Sequence, residues 1–397
     1  MQKASNRTVA LASAAVLGTA VLAPVAARAA THYYHDDSVW ANALSSLGGV
    51  TVPYDFAVFL RAGDGVLHGR SPYVSPASLR AGPDYVYPPL LALAVTPLAE
   101  VPQRAVHNTF LPGVFFSLLL IAATVGGLLL LDVRDWRCYP LALVSPISVQ
   151  PVEYGALGPL LFLLVALAWR FRDRGGIAGS ALGGAAVLKL FLAPVLLWLA
   201  FTRRVRAVLV GVALALGLAL ASWAAIGFDG LGNYPRLLRK LTDLEASHSY
   251  SAYAILRTIG IPSVVASALV LVAGVGFLLL AWRAAHAESS AFEQDRRSLI
   301  LTLAAALVLT PILWLHYLVL LLVPIALARP RLSLLWLAPV ALAAFDTRNW
   351  YGGWPNGEGR ALGSVAAVVV IVFAVSLRRL ERAAPTSSRT RLRPTSS

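Results

Sequence analysis

Apolar stretches of roughly 20 residues recur along nearly the whole chain and are separated by short polar segments. A helix of about 20 apolar residues crosses the ~30 Å hydrocarbon core of a bilayer. We therefore expect an all-α, polytopic membrane protein with about 11–13 transmembrane helices. The predicted spans are 8–27, 88–101, 109–131, 138–150, 155–170, 175–201, 205–226, 262–282, 298–314, 316–328, 332–345 and 361–377.

Composition agrees with this pattern. Of the 397 residues, 58% are hydrophobic and only 13% are charged, whereas soluble domains carry about 25% charged residues. This excludes a water-soluble surface, and we predict one membrane domain over residues 1–380. Residues 381–397 are rich in Ser, Thr, Pro and Arg, which predicts a disordered cytoplasmic tail.

The net charge of +14 comes from short basic clusters between the apolar spans. Such clusters follow the positive-inside rule, so we expect them to be cytoplasmic and expect no nucleic-acid partner. Arg170–Arg174 and Arg203–Arg206 are both basic, yet only the stretch 175–201 lies between them. We predict a broken, re-entrant pair of half-helices there, with Lys189 in the middle and a polar cavity beside it.

The amino-terminal apolar run 8–27 follows Lys3 and Arg7. It reads as an uncleaved first span, with a cleaved signal peptide ending near Ala27–Ala30 as the alternative. An uncleaved span puts residues 31–87 outside, as the first extracytoplasmic loop. Counting back from the carboxyl-terminal tail independently puts His316 near the same outer face.

The loop 31–87 is too patterned to be a simple connection. Residues 55–68 space their apolar side chains as a short helix lying on the membrane surface would, and Asp55 precedes this helix, where an N-cap would sit. The loop closes with the sequence GRSPY at 69–73 and re-enters the membrane with YVYPPL at 85–90.

These runs, and three later ones, resemble glycosyltransferase family 87 of the membrane-embedded C-type (GT-C) superfamily. The later runs are AAVLKLFLAP at 185–194, SHSYSAYAILRTIG at 247–260 and TPILWLHYL at 310–318. The family includes actinobacterial polyprenyl-phosphate-mannose-dependent alpha-(1,2)-mannosyltransferases. The chain differs from the family's usual pattern at Ser249, Tyr250 and Tyr317, which leaves the sugar and the acceptor open.

The resemblance implies a GT-C-like bundle and inverting transfer of a sugar from polyprenyl phosphate. Asp55 is then the candidate general base that takes the acceptor's proton; the alternative is a plain helix cap. Candidates to bind the donor phosphate or the substrates are His316, Arg257, Lys189, Arg61 and Glu153. Structural alternatives stay open: a buried hydrogen-bonding histidine, a snorkelling interfacial arginine and a lysine that anchors two half-helices. We expect no cofactor and no required metal.

We therefore predict a multi-pass glycosyltransferase of the bacterial plasma membrane whose active site faces outward. Its expected substrates are a polyprenyl phosphate sugar, with mannose as the first candidate, and a glycolipid or lipoglycan acceptor. The alternatives are an arabinofuranosyltransferase that uses decaprenyl phosphate arabinose, and a transporter or flippase of a lipid-linked intermediate.

Overall fold

The computed structural model describes residues 53–80, 84–99, 110–245, 249–344 and 358–378. These residues form 16 α-helices and several short 3-10 helices, with no β-strand among them, which confirms the all-α prediction. The predicted first span 8–27, residues 31–52 of the outer loop and the tail 381–397 lie outside the described ranges.

The helices are numbered in chain order. The first eight are α1 Tyr54–Leu67, α2 Pro89–Ala99, α3 Phe110–Leu130, α4 Cys138–Val144, α5 Pro146–Tyr154, α6 Gly158–Arg170, α7 Gly175–Leu188 and α8 Leu196–Phe201. The last eight are α9 Val205–Ala225, α10 Tyr234–Glu245, α11 Ala252–Thr258, α12 Ser263–Ala285, α13 Ala291–Leu309, α14 Leu322–Ala328, α15 Ala338–Ala341 and α16 Glu358–Leu377.

Two of these helices are long and apolar enough to cross a membrane by themselves, among the residues described: α9 and α12. Both present large apolar side chains outward, with Leu216 66% exposed and Val264 79% exposed. In water this exposure would be costly, whereas hydrocarbon chains cover such a surface without loss. These features are those of an all-helical membrane protein.

Several other predicted spans are shorter, broken helices rather than continuous ones. The predicted span 138–150 is two helices, α4 and α5, which meet at Ser145. Ser145 is extended because the ring of Pro146 disfavours a helical conformation in the residue before it. The predicted span 316–328 likewise begins as a 3-10 helix, Leu315–Leu321, before α14.

The stretch 175–201 has the broken arrangement that its flanking charges predict. Helix α7 ends at Leu188, Lys189 is extended at φ −150° and ψ 105°, and the 3-10 helix Leu190–Val195 leads into α8. The chain therefore runs in along α7, turns at Lys189 and returns along α8.

Charged side chains tie both ends of this hairpin to α13. Asp295 accepts hydrogen bonds from Arg172 at 3.0 Å and from Arg204 at 2.7 Å. Arg204 also reaches Asp173 at 2.9 Å. The two basic clusters thus lie at the same end of the bundle, which we call the arginine end, and Lys189 lies away from it.

Helix α1 corrects one prediction about Asp55. The helix begins at Tyr54, so Asp55 lies inside its first turn, and the N-cap residue is Pro53, whose side chain makes no capping hydrogen bond. Pro53 starts the helix because its fixed φ and missing N–H suit that boundary. The apolar side of α1 packs on protein, with Phe56 and Phe59 fully buried.

Candidate active site

Lys189 lies in a cage of aromatic rings at the turn of the hairpin. Its Nζ is 3.9 Å from the ring centre of Tyr87, 4.9 Å from that of Tyr317 and 5.3 Å from that of Trp314. The hydroxyls of Tyr87 and Tyr317 are 3.1 Å apart, within hydrogen-bond distance. Cation–π attraction stabilises an ammonium that has been removed from water. We call these four residues the lysine cage.

The segments that form the lysine cage come from distant parts of the sequence. Tyr87 ends the outer loop, Lys189 is the turn of the hairpin, and Trp314 and Tyr317 follow α13. Two hydrogen bonds fix the backbone at residues 86 and 87: the Tyr73 hydroxyl donates to the Tyr87 carbonyl at 2.8 Å, and the Tyr234 hydroxyl donates to the Val86 carbonyl at 3.0 Å. Three of the runs that carry the family resemblance thus meet at one place.

The fourth run is docked on the same place by its serines. Ser249 Oγ accepts a hydrogen bond from the Leu313 N–H at 2.9 Å, and Ser251 Oγ donates to the Pro311 carbonyl at 2.7 Å. Tyr250 N–H donates to the Leu313 carbonyl at 2.8 Å. Ser249, where the chain departs from the family pattern, therefore has a local structural role.

Asp55 lies half-buried in the first turn of α1, close enough to the lysine cage to interact with the charge of Lys189. Burial among protein atoms raises the pKa of its carboxyl from 3.8 to about 7; the charge of Lys189 opposes this rise, and that of Glu245 adds to it. A carboxyl that titrates near neutral pH is suited to take a proton from an alcohol and release it again. The site therefore has the electrostatics of a general base.

The position of Asp55 is fixed by a close backbone approach from α5. Gly155 ends α5 in a left-handed conformation, φ 70°. A Cβ at this position would lie 2.8 Å from the Cβ atoms of both Pro53 and Phe56, the residues on either side of the Tyr54–Asp55 pair. Only glycine satisfies both conditions, so α5 buttresses the start of α1.

Glu245 is a site residue that the sequence analysis missed. It ends α10, is 7% exposed, and its Oε2 accepts a hydrogen bond from Trp314 Nε1 at 3.3 Å. Leu237, Leu241 and Glu245 follow each other at intervals of four, so all three lie on one helical face. A carboxylate on an otherwise apolar face is the feature that could have revealed it.

A cavity of about 360 Å³ opens beside the lysine cage. We call it the apolar cavity, because hydrocarbon side chains form most of its wall and Lys189 is its only charged lining group among the described residues. It is lined by Val86, Tyr87, Pro88, Lys189, Leu190, Phe191, Pro194, Tyr234, Leu238, Leu241, Thr242, Leu309, Thr310, Pro311, Ile312 and Trp314.

His316 is close to the lysine cage but is buried, at 6% exposed. Its ring lies 4.3 Å from that of Tyr317 and 5.5 Å from that of Trp314, centre to centre. Its Nε2 has no hydrogen-bonding partner within the described part of the chain. Buried polar atoms are rarely left so, and a substrate oxygen would satisfy this one.

The other three predicted residues occupy different settings. Arg257 is exposed on α11, where its guanidinium donates to the Ile261 carbonyl at 2.8 Å. Arg61 is exposed on α1, about 9 Å along the helix axis from Asp55. Glu153 is half-buried near the end of α5, two residues before Gly155 and thus close to the start of α1.

Within the residues described, no group of three or more His, Cys, Asp or Glu side chains lies together as a metal site would. Independence from metal stays a prediction.

Comparison with known proteins gives one match. A family model described as glycosyltransferase family 87 matches residues 85–311, more than half of the chain. No curated protein matches, and no solved structure matches. The matched range contains the lysine cage apart from Trp314 and Tyr317, and it contains Glu245; Asp55 precedes it.

Proposed function

The chain belongs to glycosyltransferase family 87, and it is therefore a membrane glycosyltransferase; from this premise we propose that it transfers a sugar from polyprenyl phosphate to a glycolipid or lipoglycan acceptor. Mannose is the first candidate sugar, and Asp55 is the proposed general base. The observation that carries the proposal is the lysine cage, which lines the apolar cavity and whose Lys189 interacts electrostatically with Asp55.

Each part of a polyprenyl phosphate sugar has a matching part in this arrangement. The isoprenoid chain needs an apolar wall, which the apolar cavity offers. The phosphate needs a cation, and Lys189 is the charged group of that cavity. The sugar would lie beyond the phosphate, toward Asp55 and the unpartnered Nε2 of His316.

The proposed reaction is a single displacement at the anomeric carbon. The acceptor hydroxyl oxygen forms the new bond to that carbon as Asp55 takes the hydroxyl proton. The bond from the anomeric carbon to the phosphate oxygen breaks, and polyprenyl phosphate leaves with the electron pair. Lys189 stabilises the charge on the leaving phosphate, and the configuration at the carbon inverts.

We place the reaction on the extracytoplasmic face of a bacterial plasma membrane. The arginine end gathers Arg172, Arg204 and Arg296, and the positive-inside rule favours the cytoplasm for such an end. Lys189 and Asp55 lie away from it, which supports an outward-facing site.

The identity of the transferred sugar is tested by supplying the purified full-length protein with radiolabelled polyprenyl phosphate mannose or decaprenyl phosphate arabinose in separate reactions. Mannose transfer to a membrane glycolipid extract is the expected result. Arabinose transfer alone would replace the sugar but keep the reaction class. Consumption of neither donor would overturn the proposed function.

The general base is tested by Asp55→Asn. We expect transfer to fall by about 100- to 10,000-fold, the range for loss of one acid–base group, while donor binding and the thermal unfolding midpoint change little. Asp64→Asn is the matched control, because Asp64 lies on the same helix and its carboxylate contacts only the exposed side chains of Arg70, at 2.7 Å, and His68, at 3.3 Å, among the interactions of the described residues. Near wild-type turnover by Asp55→Asn would refute the assignment.

A further inference from the structure

A second cavity, of about 150 Å³, lies between residues 71–75 of the outer loop and residues 229–237 before and within α10. We call it the Asp229 cavity. Its wall is more polar than that of the apolar cavity and includes Ser71, Tyr73, Ser75, Asp229, Asn233 and Tyr234. A volume of this size holds one six-membered ring.

The polar groups of the Asp229 cavity are available to a ligand. Asp229 and Asn233 are exposed, and neither side chain forms a hydrogen bond or an ion pair with another described residue. A carboxylate accepts hydrogen bonds, and an amide both donates and accepts them. Together they match a pair of neighbouring sugar hydroxyls.

The aromatic wall of the cavity is held in a fixed orientation. The Tyr73 ring stacks on Trp223 with centres 5.3 Å apart and planes 19° apart, and it meets Tyr234 edge-on at 5.5 Å. Its hydroxyl is anchored on the Tyr87 carbonyl. A pre-positioned ring can pack against the C–H face of a sugar without losing side-chain freedom on binding.

Gly230 allows the backbone beside Asp229 to pack closely against the Tyr73 ring. Its φ is +81°, and a Cβ there would lie 3.1 Å from Tyr73 Cδ2. A larger residue would have to push the ring away or leave the left-handed region. The segment that carries Asp229 is thus held against the aromatic wall.

The Asp229 cavity is adjacent to the proposed reaction centre. Tyr234 lines both this cavity and the apolar cavity. Through Tyr73 and Tyr234 the wall is bonded to the carbonyls of Val86 and Tyr87, and the Tyr87 ring contacts Lys189. A ligand in the cavity would therefore lie one aromatic layer from the lysine cage.

We propose that the Asp229 cavity is a subsite for a sugar residue of the acceptor, one unit removed from the hydroxyl that is glycosylated. This inference rests on the proposed function, because it assumes a carbohydrate acceptor. It predicts that the enzyme prefers an acceptor of at least two sugar units over a single one, through binding rather than through the chemical step.

The test uses the full-length protein in lipid nanodiscs and methyl glycosides of one, two and three mannose units as soluble probes. With polyprenyl phosphate mannose as donor, we expect KM to fall by at least about tenfold from one unit to two. Asp229→Ala and Asn233→Ala should each remove most of this gain with kcat nearly unchanged, because such a pattern marks loss of uniform binding. Asp243→Ala, an exposed change elsewhere on α10, should keep it.

A second measurement separates the subsite from the proposed reaction. Saturation-transfer NMR on Asp55→Asn protein reports probe binding without turnover, and the two-unit probe should bind in a way that Asp229→Ala abolishes. Binding of that kind, together with no transfer by wild-type protein from either polyprenyl phosphate mannose or decaprenyl phosphate arabinose, would refute the proposed function and keep the subsite. Transfer with the same KM in Asp229→Ala, Asn233→Ala and wild-type protein would refute the subsite and keep the function.

Discussion

Replacing Gly155 by alanine tests whether α5 positions the proposed base. The added methyl group would enter the contact between α5 and the start of α1, where it would lie 2.8 Å from the Cβ atoms of Pro53 and Phe56. It would also have to adopt φ 70°. Both effects act on the turn that carries Asp55, and neither touches the lysine cage.

The size of the effect follows from two terms. The left-handed conformation costs a non-glycine residue about 1–2 kcal/mol. Carbon atoms pack at about 3.5 Å or more, so Pro53 and Phe56 must move by roughly 0.7 Å, and overpacking of this kind costs a further ~1–3 kcal/mol. Because a shift of about 1 Å at a reacting group can reduce the rate 100-fold, we expect kcat to fall by about 10- to 100-fold.

Gly69→Ala is the matched control for this experiment. Gly69 follows α1 with φ 66°, so alanine there meets the same backbone strain, but nothing lies within 4 Å of the added Cβ. The assay is initial-rate sugar transfer at saturating donor, together with the thermal unfolding midpoint of each variant in detergent.

The comparison of the two variants decides the outcome. Gly69→Ala should lose stability but keep nearly full kcat, whereas Gly155→Ala should lose both. If the two alanine variants show equal kcat and equal unfolding midpoints, the close approach does not position Asp55 and the reasoning is wrong.

Three further predictions concern charge and topology. The rate of transfer should rise with pH through about 7 as the Asp55 carboxyl loses its proton. Glu245→Gln should move the midpoint of this rate profile to lower pH, because it removes a charge that raises the pKa of Asp55. An unchanged or higher midpoint would count against that coupling. Asp295→Asn should reduce the free energy of unfolding by about 3 kcal/mol, since it leaves two partly buried arginines without their shared partner; a change below ~1 kcal/mol, measured by denaturant titration, would contradict this. In a chain whose single native cysteine is replaced, Ser75→Cys should react with a membrane-impermeant thiol reagent added to intact cells; reaction only after permeabilisation would reverse the proposed orientation.

Much of the architecture could be predicted from charge and apolar pattern. The hairpin over 175–201 follows from two basic clusters that need the same side of the membrane and have one apolar stretch between them. The break at Ser145 also follows from the sequence, because Pro146 lies within the predicted span 138–150. The break depends on the backbone preference that one proline imposes on its neighbour.

The site was predictable only in part. Asp55, Lys189 and His316 were identified from the family resemblance and from the cost of a charge at membrane depth, and the structure brings them to one region. Glu245 and the cage rings of Tyr87 and Tyr317 were not, because their roles depend on distances between segments far apart in sequence. Arg257 stays a candidate phosphate ligand by prediction; its guanidinium donates to the Ile261 carbonyl, in the turn after α11.

The hairpin that turns at Lys189 also bears on how the protein is made. On the proposed topology, its two arms can enter the bilayer together, so neither flanking arginine cluster is carried across during biosynthesis. A lysine at the centre of a spanning helix raises the free energy of membrane insertion by about 2.5–3.5 kcal/mol. Here the apolar residues of both arms, 14 residues in α7 alone, offset that cost. A hairpin inserted from the cytoplasmic side can thus place the cation at its turn within reach of a reaction on the other side of the membrane.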